Sequence, residues 1–141
     1  MPKGELLSIV AQLRNQGRMK FLGGATAEQI AKFEKGNNFV LPSGYKEWLL
    51  LSDGGEFFLP AGVQLYGVAH KPFIDVSEDD RPDRNYVIIG ALATGDPILC
   101  KIGSEEIAIY NHEADRIESD EIYKDFDIFL SNLPEILGIG G

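Results

Sequence analysis

The sequence predicts an α+β fold: an antiparallel β-sheet meander packed by N-terminal helices and one C-terminal helix. Two observations carry this. Apolar residues recur at helical spacing as far as Ser52 and again from Phe126, while the stretch between breaks into short β-rich runs punctuated by Gly, Pro, Asn and Asp. Helices first, strands next and a helix last is the order of segregated layers, not of alternating βα units.

Taken along the chain, Leu6, Ile9, Val10 and Leu13 fall on one helical face, giving a first helix over about residues 4–16 that ends near Gly17. Thr26 followed by Gln29 has the spacing of a capping box, in which each side chain satisfies a backbone N–H that the helix start leaves open. Ile30 and Phe33 continue that helix, and Gly36-Asn37-Asn38 ends it, since these residues tolerate left-handed backbone angles. Leu41-Pro42 opens the next helix with proline at its first position, where a missing N–H costs nothing. Tyr45, Trp48, Leu49 and Ser52 share its inner face, and Asp53-Gly54-Gly55 closes it. Trp48 reads as core on this spacing.

Beyond Gly55 the period changes to that of strands. Glu56–Leu59 and Val63–Gly67 flank Pro60-Ala61-Gly62. Residues 69–85, with Pro72, Pro82 and many charges, read as a solvated loop. Tyr86–Ile89, Ile98–Ile102, Ile107–Tyr110 and Asp115–Ile117 follow as strands of one meander. Thr94-Gly95-Asp96-Pro97 and Asn111-His112-Glu113-Ala114 supply turns between them. Phe126, Phe129, Leu130 and Leu133 mark the last helix, with Pro134 at its final turn. The tail 138–141 is expected to be flexible. With no repeat, low-complexity tract or linker, residues 1–141 read as one domain with its core over about 26–133.

The chain has 141 residues, 44% of them apolar and 25% charged. A chain this long buries roughly 68% of its unfolded surface and needs no disulfide or metal to fold. No apolar run approaches the ~18 residues that span a bilayer, and Met1–Leu13 lacks the apolar core of a secretory signal. The lone Cys100 forms no internal disulfide, which suits a reducing cytoplasm. Net charge is −9 and unevenly placed. Residues 1–50 hold seven basic and four acidic side chains, whereas residues 51–141 hold six basic and eighteen acidic, a net of −12. Such a surface repels a phosphate backbone and attracts a basic protein. Simple solubility accounts for the same charge, so both readings stand at this point.

Three stretches carry a family resemblance: Thr26-Ala27-Glu28-Gln29-Ile30 with Phe33-Glu34, then Leu41-Pro42-x-x-Tyr45-x-x-Trp48-Leu49, then Asp53-Gly54-Gly55. Gly62-Val63-x-Leu65-Tyr66-Gly67, Gly95-Asp96-Pro97-Ile98 and Phe126-x-x-Phe129-Leu130 extend it over about residues 26–133. In order and spacing the chain resembles the SUKH superfamily, the group typified by the yeast cell-wall assembly regulator. The resemblance implies a mixed sheet-and-helix domain. For many bacterial members it implies an immunity protein that neutralises a toxin domain, often a nuclease; other members are cell-wall or signalling regulators. Asp53 departs from the Asn more frequent before the paired glycines, and the sequence treats the two as interchangeable ends of a helix. The motifs are fold determinants and transfer no catalytic residue.

Residue chemistry agrees. Cys100 with His112 is the one Cys–His pairing that suggests a hydrolase, but Cys100 lies in an apolar run where it packs as a small hydrophobe. His112-Glu113-Ala114-Asp115 lacks the second histidine of a zinc helix motif and reads as a polar hairpin tip. Asp75, Glu78, Asp79, Asp80 and Asp83 lack calcium-loop spacing, and the glycines form no nucleotide-binding pattern. No catalytic residue, metal or cofactor is therefore assigned. The expected function is stoichiometric binding of a basic protein partner, a toxin domain, without turnover and without nucleic-acid or membrane contact. A regulatory or scaffold role without a toxin is the alternative and a small hydrolase the third reading; homo-oligomers stay open. Two acidic patches are the expected docking surface. The first is Asp75, Glu78, Asp79, Asp80 and Asp83 in the long loop. The second is Glu113, Asp115, Glu118, Asp120 and Glu121.

Overall fold

The computed structural model describes residues 4–14, 19–21, 23–57, 62–70, 73–75, 85–92 and 94–136. The elements in them run α1 (Gly4–Arg14), β1 (Met19–Lys20), α2 (Ala27–Asn37), α3 (Ser43–Leu51), β2 (Gly55–Phe57), β3 (Val63–Leu65), β4 (Tyr86–Leu92), β5 (Pro97–Lys101), β6 (Ile107–Asn111), β7 (Arg116–Tyr123), α4 (Phe126–Ser131) and α5 (Leu133–Ile136). The strands form one seven-stranded sheet in sequence order, every neighbouring pair antiparallel. This is the α+β meander that the sequence predicts.

Local chemistry explains where the helices begin and end. At α2 the Thr26 side chain accepts from the Gln29 N–H at 3.0 Å, and the Gln29 side chain accepts from the Thr26 N–H at 2.9 Å. The helix ends at Asn38, whose φ of 57° is left-handed. Pro42 stands just before α3 and supplies no side-chain cap. Glu105 supplies one instead, accepting from the Ser43 N–H at 3.0 Å, the Ser43 hydroxyl at 2.7 Å and the Gly44 N–H at 3.3 Å. Gly54, at φ +99°, carries the chain out of α3 into β2, and its carbonyl accepts from the Trp48 indole at 3.0 Å.

The helices pack on one face of the sheet. Leu6 and Val10 of α1, Ile30 of α2, Tyr45, Trp48 and Leu49 of α3, and Phe126, Phe129 and Leu130 of α4 share a buried cluster with Val87, Ile89, Ile98, Cys100, Ile107 and Ile109. Phe126 ties α4 to α3, its ring lying edge-on to Tyr45 at a centroid distance of 4.9 Å. Strand pleating sends alternate residues to the other face. There Ile88, Leu99 and Ala108 stand side by side in register and are also buried, outside that cluster.

Four features depart from the sequence reading. β1 is a two-residue strand pairing Met19 with Phe57 and Lys20 with Glu56, too short to leave a periodic signal. Asp75 does not lie in open loop: its N–H donates to the Ile88 carbonyl at 2.9 Å and its carbonyl accepts from the Ile88 N–H at 3.2 Å, extending the sheet beside β4. β7 continues past Ile117 to Tyr123, with its register against β6 shifting between Ala108 and Tyr110. The single C-terminal helix is two short ones, broken at Asn132, because Pro134 has no N–H to continue the helical ladder. The expected strand end at 58–59, most of the expected loop 69–85 and the tail 138–141 lie outside the described residues.

Candidate protein-binding cleft

A cleft of about 510 Å³ opens where the end of the sheet meets the C-terminal helices. Its apolar lining residues are Leu92 of β4, Ile109 of β6, Tyr123 of β7 and Ile136 of α5. Its polar lining is Thr94, Asp96, Glu121, Asn132 and Glu135. No described lining residue is Lys or Arg, and the lining mixes apolar side chains with carboxylates from three separate elements.

Each wall is fixed by its own local structure. The β4–β5 turn closes through the Gly95 N–H donating to the Leu92 carbonyl and the Leu92 N–H donating to the Asp96 carbonyl, both at 2.9 Å. Gly95 takes φ +99° there, a left-handed angle that suits glycine. The Asp96 carboxylate accepts from the His112 N–H at 3.1 Å and meets His112 Nδ1, which joins the β4–β5 turn to the β6–β7 turn. Tyr123 lies edge-on to Phe129 at a centroid distance of 5.5 Å, which packs this lining residue against α4. Asp125 caps α4 by accepting from the Ile128 N–H at 2.8 Å. Asn132 donates its side-chain NH₂ to the Ile128 carbonyl at 2.7 Å, so its orientation is set by the helix it terminates.

The acidic residues expected to dock a partner are distributed unevenly around this site. Glu121 lines the cleft. Glu113 and Asp115 sit in the β6–β7 turn, where the Asn111 side chain accepts from the Glu113 and Ala114 N–H groups at 3.0 Å. Asp115 holds a left-handed φ of 60° and accepts from the Tyr110 hydroxyl. That hydrogen bond, the largest cause, raises the Tyr110 phenol above its ordinary pKa. Glu118 pairs with Arg116 at 3.1 Å, which offsets its charge. Asp120 lies in β7. Asp75 is half-buried beside β4, away from the second patch along the sheet order. Glu78, Asp79, Asp80 and Asp83 lie outside the described residues.

Asp96 and Glu135 are cleft residues that the sequence reading passes over. Asp96 belongs to a Thr-Gly-Asp-Pro run that any turn explains, and Glu135 follows Pro134 with no periodic partner. Neither carries a local signal of its own.

Nucleophilic chemistry finds little support at Cys100. The thiol is 1% exposed, and burial pushes it up to about 12, so it stays protonated near neutral pH. His112, the base that a hydrolase would need, faces Asp96. Among the described residues no group of three or more His, Cys, Asp or Glu could hold a metal ion, and no helix is long and apolar enough to cross a membrane.

A comparison with protein families matches residues 24–132 to the one described as SMI1 / KNR4 family (SUKH-1). No curated protein matches the chain.

Proposed function

The chain belongs to the SMI1 / KNR4 family (SUKH-1), and from that premise we propose that it is a protein-binding module, an immunity protein that neutralises a cognate toxin by stoichiometric binding. It makes and breaks no covalent bond. It acts as one domain in the cytoplasm, where its partner is a basic protein, a toxin domain of the nuclease kind whose lysines and arginines otherwise meet nucleic acid. The observation that carries the reading is the net −12 of residues 51–141, three of whose carboxylate residues line a cleft together with apolar side chains. Exposed carboxylates around such a site steer a basic partner and raise its association rate. Affinity itself comes from a few desolvated anchors at the centre of the contact.

The test is co-expression with the toxin-like product of the neighbouring gene. Protection of the cells together with a one-to-one complex on purification supports the proposal. A toxic neighbour that the protein neither binds nor blocks defeats it, and binding without protection assigns the protein to a regulatory role.

A further inference from the structure

We propose that α2, with the connector as far as Val40, is a flap that opens by local unfolding while the sheet and the other helices stay folded, and that Glu34 is its latch. The inference is independent of the binding function proposed above.

Burial singles α2 out. Its 11 residues bury one side chain, Ile30, with Phe33 and Glu34 half-buried and the others exposed. In contrast, α3 buries Tyr45, Trp48 and Leu49 in 9 residues, and α4 buries Phe126, Phe129 and Leu130 in 6. Elements with few buried apolar contacts and exposed backbone hydrogen bonds open at free energies below that of global unfolding.

The flap has fixed ends. On the entry side the Ala25 N–H donates to the Leu49 carbonyl at 2.7 Å, and the Gly23 carbonyl accepts from the Asp53 N–H at 3.1 Å. On the exit side Leu41 and Pro42 are buried. Between these anchors, several contacts are internal to the flap and travel with it. They are the Thr26–Gln29 capping box, the Asn37 side chain donating to the Phe33 carbonyl at 2.8 Å and the edge-on Phe33–Phe39 pair at 6.0 Å. Attachment to the body comes from Ile30, from the sides of Phe33 and Phe39 that pack on the core, and from Glu34. The Glu34 carboxylate accepts from the Leu41 N–H at 2.7 Å and stands 3.4 Å from Lys46 Nζ of α3. It thus ties the helix to the fixed exit of the flap and to α3 at once.

The helix is weak on its own. Its 11 residues fall short of the ~12–15 below which an isolated helix is marginal in water, so once it leaves its seat it melts as a unit. Gly36 stands in its last turn with open space where a Cβ would lie, so alanine fits there and glycine lowers helix stability. Opening frees the chain from Thr26 to Val40 and uncovers the seat of Ile30, which the closed molecule hides.

The test is native-state amide exchange on the full chain, followed by NMR in sub-denaturing urea. Ala31, Lys32 and Phe33 are expected to share one opening free energy. They should exchange about tenfold or more faster than Cys100 and Ala108 in the central strands, with a smaller urea dependence. Glu34→Gln should speed exchange in α2 several-fold, and Gly36→Ala should slow it about threefold. The deciding variant lies in the sheet. Ile107→Val weakens the core and should speed Cys100 and Ala108 several-fold, yet leave α2 unchanged, because α2 opens without the sheet. The proposal is overturned if Ile107→Val speeds α2 and the sheet alike, which would mean that α2 opens only with the whole molecule. Rates graded from the helix ends inward would overturn it as well, by showing fraying in place of a unit. Indifference of α2 to Glu34→Gln would remove the latch.

Discussion

Asp53 is fully buried, and its carboxylate accepts N–H groups from Val68, Ala69 and His70, each at 2.7 Å. His70 Nδ1 stands 3.0 Å from the same carboxylate. The sequence reading gives Asp53 a helix-ending role in which Asn serves equally. The structure instead gives it work that needs two acceptor oxygens, because an amide presents one oxygen and turns an NH₂ toward N–H donors. Asp53→Asn is therefore expected to destabilise the protein by about 1–3 kcal/mol, the cost of leaving buried donors unmet, read as a lowered midpoint in urea. An unchanged midpoint would return Asp53 to a purely conformational role. This role was invisible in the sequence because the partners lie 15 to 17 residues away and are backbone groups, which leave no residue-type signature. Cys100 is the opposite case. Its apolar neighbours in the sequence predict a buried, unreactive thiol, and burial does push it up to about 12. An aromatic disulfide reagent is expected to react with it only at the rate of unfolding, in the native protein at pH near 7. Reaction that is fast and independent of denaturant would contradict that.

At the scale of elements, a feature is legible when both of its ends lie close in the chain. The Thr26–Gln29 capping box spans one turn and is visible as a spacing. The cap of α3 is not, because Glu105 reaches Ser43 across 62 residues. Burial raises the Glu105 pKa, but hydrogen bonds from Ser43 and Gly44 and the charge of Lys46 outweigh it, and the carboxyl titrates below the ordinary glutamate value. A carboxyl lowered in the folded state contributes stability that is complete above the ordinary carboxylate range and lost as pH falls through the lowered value. Glu105→Ala is expected to cost about 1 kcal/mol at neutral pH, the usual worth of a helix cap. The difference from the parent protein should shrink on acidification, in denaturant midpoints compared across pH. A gap that stays constant into acid would show that packing, not the charge, is what Glu105 contributes. β7 was half legible for a related reason. Beyond Ile117 it reads Glu118-Ser119-Asp120-Glu121, without period-two alternation, and it ends the sheet order where its register with β6 shifts. Bulged strands at the end of a sheet tolerate polar residues on both faces, so hydropathy cannot mark their extent.

For the whole molecule, the acidic excess is plain in the composition, but which carboxylates line the cleft is not. Asp96, Glu121 and Glu135 come from three stretches that only the meander and the α4–α5 break bring together. Charge in the two settings should act on different rate constants. Exposed turn carboxylates such as Glu113 act through the field during approach, where salt screens them over about 8–10 Å. Cleft carboxylates act after water has left, where screening is weak and pairing governs dissociation. With a basic partner in hand, Glu113→Gln is expected to lower the association rate and its dependence on salt while leaving dissociation nearly unchanged. Glu135→Gln is expected mainly to speed dissociation, by about tenfold if a buried hydrogen-bonded charge is lost. Stopped-flow association and chase dissociation, each measured at low and high salt, separate the two. If both substitutions moved only the association rate, the cleft would be part of the steering field and the anchor of the complex would lie elsewhere on the acidic half.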